Sequence, residues 1–296
     1  MLLKVGKVLK DYLIKALVNQ SKFRVYVIKA TRLVNEAQKS HQLTPSATQI
    51  LGESLIATLL LSTSMLKNDE MLTTRLIGNG PIGAVIADAN AQGQVKGYLQ
   101  NLPTDLTNYN KQSELIGNQG RLSVTKDQKL AQPFTGEVPL ISGDIAQNYA
   151  YYLAKSEQIP AAIGLVVNIN AKQKVISAGG FMIQALPNTP TSDSEQIIQQ
   201  IRQLPSLKRI FTIKSTPEMI LTKLFKQTDT KILQKAPVEF HCDCSKARFA
   251  RSLAGLDSKE LQALITEQHG AETVCRFCGQ AYQFTSTDLQ KIIAEK

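Results

Sequence analysis

Cys242-Asp243-Cys244, thirty intervening residues, then Cys275-Arg276-Phe277-Cys278 is the pattern that most narrows what this chain can fold into. These are all the cysteines in 296 residues, too few for a disulfide scaffold and too clustered to be scattered core thiols. Four thiolates suit Zn²⁺, which they hold tetrahedrally at ~2.3 Å with no position left open for substrate. Gly279, directly after Cys275-x-x-Cys278, fits a knuckle-type turn in which backbone amides approach the sulfurs. The single spacer of Cys242-x-Cys244 is shorter than usual, yet such a pair still chelates one metal; oxidised, it closes a small strained ring. His241 abuts the first pair, but four sulfurs complete the site without it.

Two readings of such a tail stay open on the pattern alone. One is a purely structural zinc ribbon. The other starts from size. Residues 236–296 offer only Phe240, Phe249, Leu253, Leu256, Leu261, Leu264, Ile265, Val274, Phe277, Tyr282 and Phe284 as a core. In domains that small, a metal's binding free energy of ~10–16 kcal/mol becomes folding free energy. Joining two thiolates as a disulfide removes two ligands together, so the metal leaves and the fold follows. Reduced sulfur would then hold zinc, zinc would hold the tail, and the tail would support the short helices before it. Oxidation would bare their apolar faces, and an exposed apolar patch binds unfolded segments of other proteins.

The formal charge of +10 raises a nucleic-acid reading, which requires the cations to sit on the cysteine module. They do not. Residues 1–186 carry +7, residues 187–235 carry +4, and residues 236–296, with every cysteine, carry −1. The excess reads as solvated surface, and no nucleic-acid partner is expected. Lys4, Lys7, Lys10, Asp11 and Lys15 interrupt the N-terminus, so it lacks the apolar stretch of a signal peptide. The longest uncharged apolar run, residues 54–66, is shorter than the ~20 residues of a membrane span. The expectation is a cytosolic chain with no membrane partner, where clustered thiols stay reduced and mean metal or redox chemistry.

Along the chain, residues 4–17 read as a strand or short helix, residues 24–28 as a β-branched strand and residues 30–39 as a helix. Thr44 as N-cap and Pro45 in the first turn open a long, mostly buried helix through Leu51, Leu55, Leu59 and Leu66. The period then shortens. Residues 72–77, 83–87 and 95–99 read as a β-meander with turns at GNGP and DANAQG. A second group follows: strands at 121–125 and 133–139, a helix at 142–156, and strands at 162–170 and 175–185. The pattern predicts an α+β domain over residues 1–186, a mostly antiparallel sheet packed with helices. Pro187 opens a turn-rich boundary. Residues 187–235 read as a helical linker region, with one-faced helices at 193–203 and 217–225 too short to stand alone. Residues 236–296 form the small Cys₄ zinc domain.

Other motifs yield nothing. Gly78-Asn79-Gly80-Pro81-Ile82-Gly83 matches a dinucleotide fingerprint, but a strand follows it where that fingerprint needs a helix, so it reads as a hairpin turn. No hydrolase constellation assembles. His41 reads as a surface or capping residue, and no catalytic residue is assigned. A thiol–disulfide oxidoreductase built on Cys275 and Cys278 needs the pair at a helix N-terminus; here Gly279 and a strand-like Ala281-Tyr282-Gln283-Phe284 follow.

Nearly end to end, the chain resembles the redox-regulated heat-shock chaperonin family of about thirty-three kilodaltons, zinc-binding holdases of bacteria. The resemblance rests on residues 30–37 (ATRLVNEA), the GNGPIG meander with Gly97-Tyr98, residues 120–127 (GRLSVTKD), residues 156–160 (SEQIP), Ala178-Gly179-Gly180, and above all the spacing of the four cysteines. It implies an N-terminal client-binding and dimerisation domain, a stress-sensing linker and a C-terminal redox switch holding one Zn²⁺ through Cys242, Cys244, Cys275 and Cys278. It also implies that oxidants pair Cys242 with Cys244 and Cys275 with Cys278. Zinc release, a loosened linker and a homodimer acting as an ATP-independent holdase would follow, its unfolded clients passing later to ATP-driven foldases in the cytoplasm. The resemblance implies no enzymatic activity.

Overall fold

β-branched and aromatic residues near the N-terminal end form β1 (Tyr12–Val18) and β2 (Phe23–Lys29), and α1 (Thr31–His41) follows. The computed structural model describes residues 10–102, 112–225 and 228–296. The part of the first expected segment before Lys10 therefore lies outside the described residues.

Thr44 does cap the long helix: its hydroxyl accepts from Ala47 N, and α2 runs Pro45–Met65. Leu51, Leu55, Ile56, Leu59 and Leu60 lie on different sides of α2, and all are fully buried. A helix apolar on every side needs cover on every side. Two sheets supply it, one offering β4 and β5 to α2 and the other β8 and β9. The meander is β3 (Met71–Gly78), β4 (Ala84–Asn90) and β5 (Gln94–Leu99); after α3 (Gln112–Ile116) come β6 (Gly120–Asp127) and β7 (Phe134–Pro139). Then α4 (Ile145–Lys155) leads to β8 (Ala161–Ile169) and β9 (Val175–Ala185). The second group of strands is thus divided: β6 and β7 extend the meander, while β8 and β9 join β1 and β2. The single sheet expected from sequence is two because α2 must be covered on both sides. The GNGPIG segment is the turn between β3 and β4, closed by Gly78 N donating to the Gly83 carbonyl at 2.8 Å.

After Pro187 come α5 (Thr191–Arg202), α6 (Leu207–Ile210) and α7 (Pro217–Leu224), then β10 (Thr230–Pro237) and β11 (Glu239–Phe240). The five-stranded sheet has the order β10-β1-β2-β9-β8 and the six-stranded sheet β11-β5-β4-β3-β6-β7. The short helices do lean on a neighbour, the five-stranded sheet. Ile197, Ile210, Phe211, Ile220, Leu221 and Leu224 pack on Ile14, Val25, Val27 and Phe181 of the five-stranded sheet. That sheet has a second apolar face, and these helices are its cover. β10 was not legible as a strand, because TKILQKAP lacks an alternating pattern and both its faces are exposed.

Contacts divide the chain into two compact units, one ending at Phe240 and the other His241–Lys296. The second contains α8 (Lys246–Leu253), α9 (Ser258–Glu267), a hairpin of β12 (Gly270–Val274) and β13 (Ala281–Thr285), and α10 (Ser286–Ala294). Its buried core is Leu261, Ile265, Phe284, Leu289 and Ile292, with Phe249, Leu253, Leu264 and Tyr282 packed around it. Leu256 and Val274, expected inside, are 37% and 52% exposed, and Phe240 belongs to the first unit. Among the described residues no helix is long and apolar enough to cross a membrane.

Candidate metal centre

Two loops bring the four cysteines together. Cys242 and Cys244 lie on the extended stretch between β11 and α8, and Ser245 ends that stretch by capping α8, its hydroxyl accepting from Arg248 N. The Arg248 guanidinium in turn pairs with the Asp243 carboxylate, which fixes the spacer between the two sulfurs. Cys275 and Cys278 occupy the turn of the β12–β13 hairpin. Gly279 N donates to the Cys275 carbonyl at 2.8 Å, and Cys275 N donates to the Gln280 carbonyl at 2.9 Å. Gly279 has φ +73°, the left-handed conformation that lets the chain double back. This is the knuckle expected from the sequence.

All four Sγ atoms lie within 4.8 Å of one another. Cys242 and Cys275 are 3.7 Å apart, Cys244 and Cys278 3.4 Å. A tetrahedral ion with ~2.3 Å bonds to sulfur has ligand edges of about 3.8 Å, so the cluster has the size of a four-thiolate site. None of the four is in a disulfide. Cys275 is buried and the other three are half-buried. His241 is exposed and stands outside the cluster.

Electrostatics point the same way. Burial pushes the Cys242 thiol up to about 11, and burial together with its sulfur neighbours pushes Cys278 higher still. Cys244 departs from them. Burial works against its ionisation too, but a hydrogen bond from Tyr282 and the neighbouring sulfurs outweigh it and draw its pKa down. Four thiolates cannot gather here uncompensated, and a divalent cation is the charge that reverses this balance.

Tyr282, which the sequence marks only as a core residue, belongs to the site as well. Its hydroxyl lies 3.2 Å from Cys244 Sγ and donates to the Cys244 carbonyl at 3.1 Å, while its ring packs on Phe249 at 5.2 Å between centroids. The signal available was its place four residues after Cys278, on the strand leaving the knuckle. That strand, and the absence of a helix starting at Cys275 or Cys278, removes the setting an oxidoreductase pair requires.

The family model described as Hsp33 protein matches residues 11–285. The 33 kDa chaperonin of Levilactobacillus brevis is 48% identical over 289 residues, covering 96% of this chain and 98% of the relative. That of Lactiplantibacillus plantarum is 43% identical over 288 residues, covering 96% and 97%. The crystal structure of the Thermotoga maritima 33 kDa chaperonin (heat shock protein 33 homolog) aligns with a TM-score of 0.87 at 31% identity, covering 97% of this chain and 98% of that one.

Proposed function

This chain belongs to the Hsp33 family, and we propose that it is a redox-regulated, ATP-independent holdase that binds unfolding or oxidatively damaged proteins and prevents their aggregation. In this reading the reduced protein is inactive, and Cys242, Cys244, Cys275 and Cys278 hold one Zn²⁺. When bound, the ion supplies a cross-link between the two cysteine loops. The observation that carries the reading is the convergence of four free sulfurs to within 4.8 Å in a unit with only five apolar side chains in its buried core.

Activation is oxidation of the four sulfurs by a hydroperoxide. One thiolate of a pair attacks the O–O bond, giving a sulfenic acid and water or an alcohol. The second thiolate then displaces hydroxide from that sulfur and closes the S–S bond. Each pair gives up two electrons. The pairs are Cys242 with Cys244 and Cys275 with Cys278, and no thiolate ligand remains. Sulfur contacts of 3.7 and 3.4 Å run between the loops, so pairing within each loop requires them to part as the ligands are lost. Residues 236–296 are then the switch, residues 187–235 the linker that responds to stress, and residues 1–186 the client-binding and dimerisation domain. The active form is a homodimer in the bacterial cytoplasm that hands its clients to ATP-driven foldases.

The test is zinc content and thiol count before and after peroxide, with disulfides mapped by mass spectrometry and aggregation of a heat-unfolded client followed by light scattering. One zinc and four thiols should become no zinc and no thiols, with protection appearing only afterwards. An oxidised, zinc-free protein that protects no better than the reduced one overturns the reading.

A further inference from the structure

The chain from Asp229 to Phe240 straps the outer edges of both sheets in the first unit. β10 runs antiparallel along β1, from Tyr12 opposite Pro237 to Val18 opposite Thr230. Immediately afterwards β11 pairs in parallel with β5, at the edge of the other sheet. Between them Val238 N donates to the Asp11 carbonyl at 3.2 Å, and Glu239 N donates to the Gly93 carbonyl at 3.0 Å. Gly93 has φ +87°, and a Cβ there would strike the Pro237 carbonyl oxygen. The β4–β5 turn is shaped to seat this strap.

β10 and the strand beneath it are opposites. Every residue of β10 is exposed except the half-buried Ala236, and Ile232 and Leu233 are 40% and 46% exposed. Its hold on the sheet is its backbone pairing, with Lys235 bound to Glu218 at 2.5 Å and Glu218 accepting from the Tyr12 hydroxyl at 2.6 Å. In β1, by contrast, Leu13, Ile14, Ala16 and Val18 are buried. Without β10, β1 would be an apolar edge with a row of unpaired amides and carbonyls, a template for another strand. Lys231 and Lys235 on β10 are the kind of charge that keeps a native edge from recruiting strangers.

We infer that the outer edge of β1, vacated by β10, is a docking site for an extended segment of a non-native polypeptide, taken up by strand addition. The inference rests on the chaperone reading above and adds the mode of recognition. β10 occupies this edge with its side chains in solvent on both faces, so the edge places almost no demand on an occupant's side chains. Recognition is by main chain and is blind to sequence. A folded protein keeps its strands paired, whereas an unfolded one offers free stretches of the seven residues that β1 spans. The strap ends at Phe240, and His241 and Cys242 follow at once, so loss of order at the cysteines pulls on the strap's end, which leaves its seat when the buried Val238 and Phe240 side chains are drawn out.

The full-length protein is tested, reduced and peroxide-treated, with a fluorescent apolar octapeptide and with the same peptide N-methylated throughout. A photocrosslinking residue stands at Leu17 in one sample and at Met219 on α7 in another. Strand addition predicts that the oxidised form binds the plain peptide, that N-methylation weakens binding about tenfold or more, and that the peptide crosslinks to position 17 in preference to 219. Gly93→Ala, which unseats the strap with all four thiols reduced, should bind the plain peptide without oxidant. Equal binding of the two peptides, or crosslinks at 219 and not 17, overturns the inference while leaving a holdase in place. So do crosslinks from position 17 to β10 of a second copy in place of peptide. An oxidised protein that neither binds peptide nor prevents aggregation overturns the chaperone reading itself.

Discussion

Replacing Tyr282 by Phe removes one hydroxyl from beside the four sulfurs and leaves the ring against Phe249 at 5.2 Å. That hydroxyl has a single proton and two acceptors, the Cys244 sulfur at 3.2 Å and the Cys244 carbonyl at 3.1 Å. When Cys244 is a thiolate, the proton is shared with a charged acceptor. A partner that supports a metal ligand is worth roughly 10–100-fold in metal affinity. Tyr282 is half-buried, so water takes over part of the role in the variant, and the lower end, about tenfold weaker zinc binding, applies. Competition with a chromophoric chelator measures this directly. The same hydrogen bond draws electron density from the sulfur, so without it Cys244 is the better nucleophile and peroxide should release zinc several-fold faster. Tyr282→Leu also loses the packing on Phe249 and should be weaker again. An affinity for Tyr282→Phe within about twofold of the parent, with an unchanged release rate, would refute the assignment of Tyr282 as a support for Cys244.

Asp11 is 5% exposed and accepts from Leu33 N at 2.9 Å at the start of α1. Burial outweighs its hydrogen bonds from Leu33 and Arg32 and lifts its pKa to about 6. A native pKa above the unfolded value of ~3.9 means the folded state holds the extra proton, so this group's contribution falls by about 3 kcal/mol as pH rises from ~4 to ~6. Asp11→Asn should flatten that slope, read as denaturant midpoints across the range. Leu261 is fully buried in the second unit, and Leu261→Ala should cost ~3–4 kcal/mol there. Amide protection over His241–Lys296 should collapse, and any loss in the first unit should be confined to the strap, residues 229–240, and the β1 and β5 edges it pairs with. Cys278→Ser leaves three sulfurs, and should surrender zinc to a chelator concentration the parent resists and protect a client without oxidant.

The cysteine site was legible because spacing alone states its chemistry: two close pairs far apart in sequence must meet to share one ion. The long helix was legible for a similar reason, since Thr44 and Pro45 mark its start and its apolar run has no polar face. What escaped depended on pairing partners distant in sequence. β10 shows no period because both its faces meet solvent, and β11 is only two residues long. The division of four later strands between two sheets follows from covering α2, which no local pattern records. In the second unit, Leu289 and Ile292 escaped although their helix carries a readable start. Thr285 and Asp288 form a capping box, as Asp257 and Glu260 do for α9.

On the proposed switch, the same oxidation has unequal consequences in the two units because their apolar burial is unequal. The first unit wraps two sheets around α2 and covers the outer face of one with α5–α7, so its order owes nothing to sulfur. The second has Leu261, Ile265, Phe284, Leu289 and Ile292, and four sulfurs brought within 4.8 Å. Removing the ligands therefore costs the second unit its order and reaches the first through the chain that joins them. The element it meets there is the strap, which is seated by the buried Val238 and Phe240, whose β11 makes two residue pairs with β5 and whose β10 buries almost no side chain. The helices beyond it are anchored by Phe211, Leu221 and Leu224 in the sheet's core and resist longer. A signal in four sulfur atoms is thus passed to the least anchored strand of the larger unit, and the edge of β1 lies directly beneath that strand.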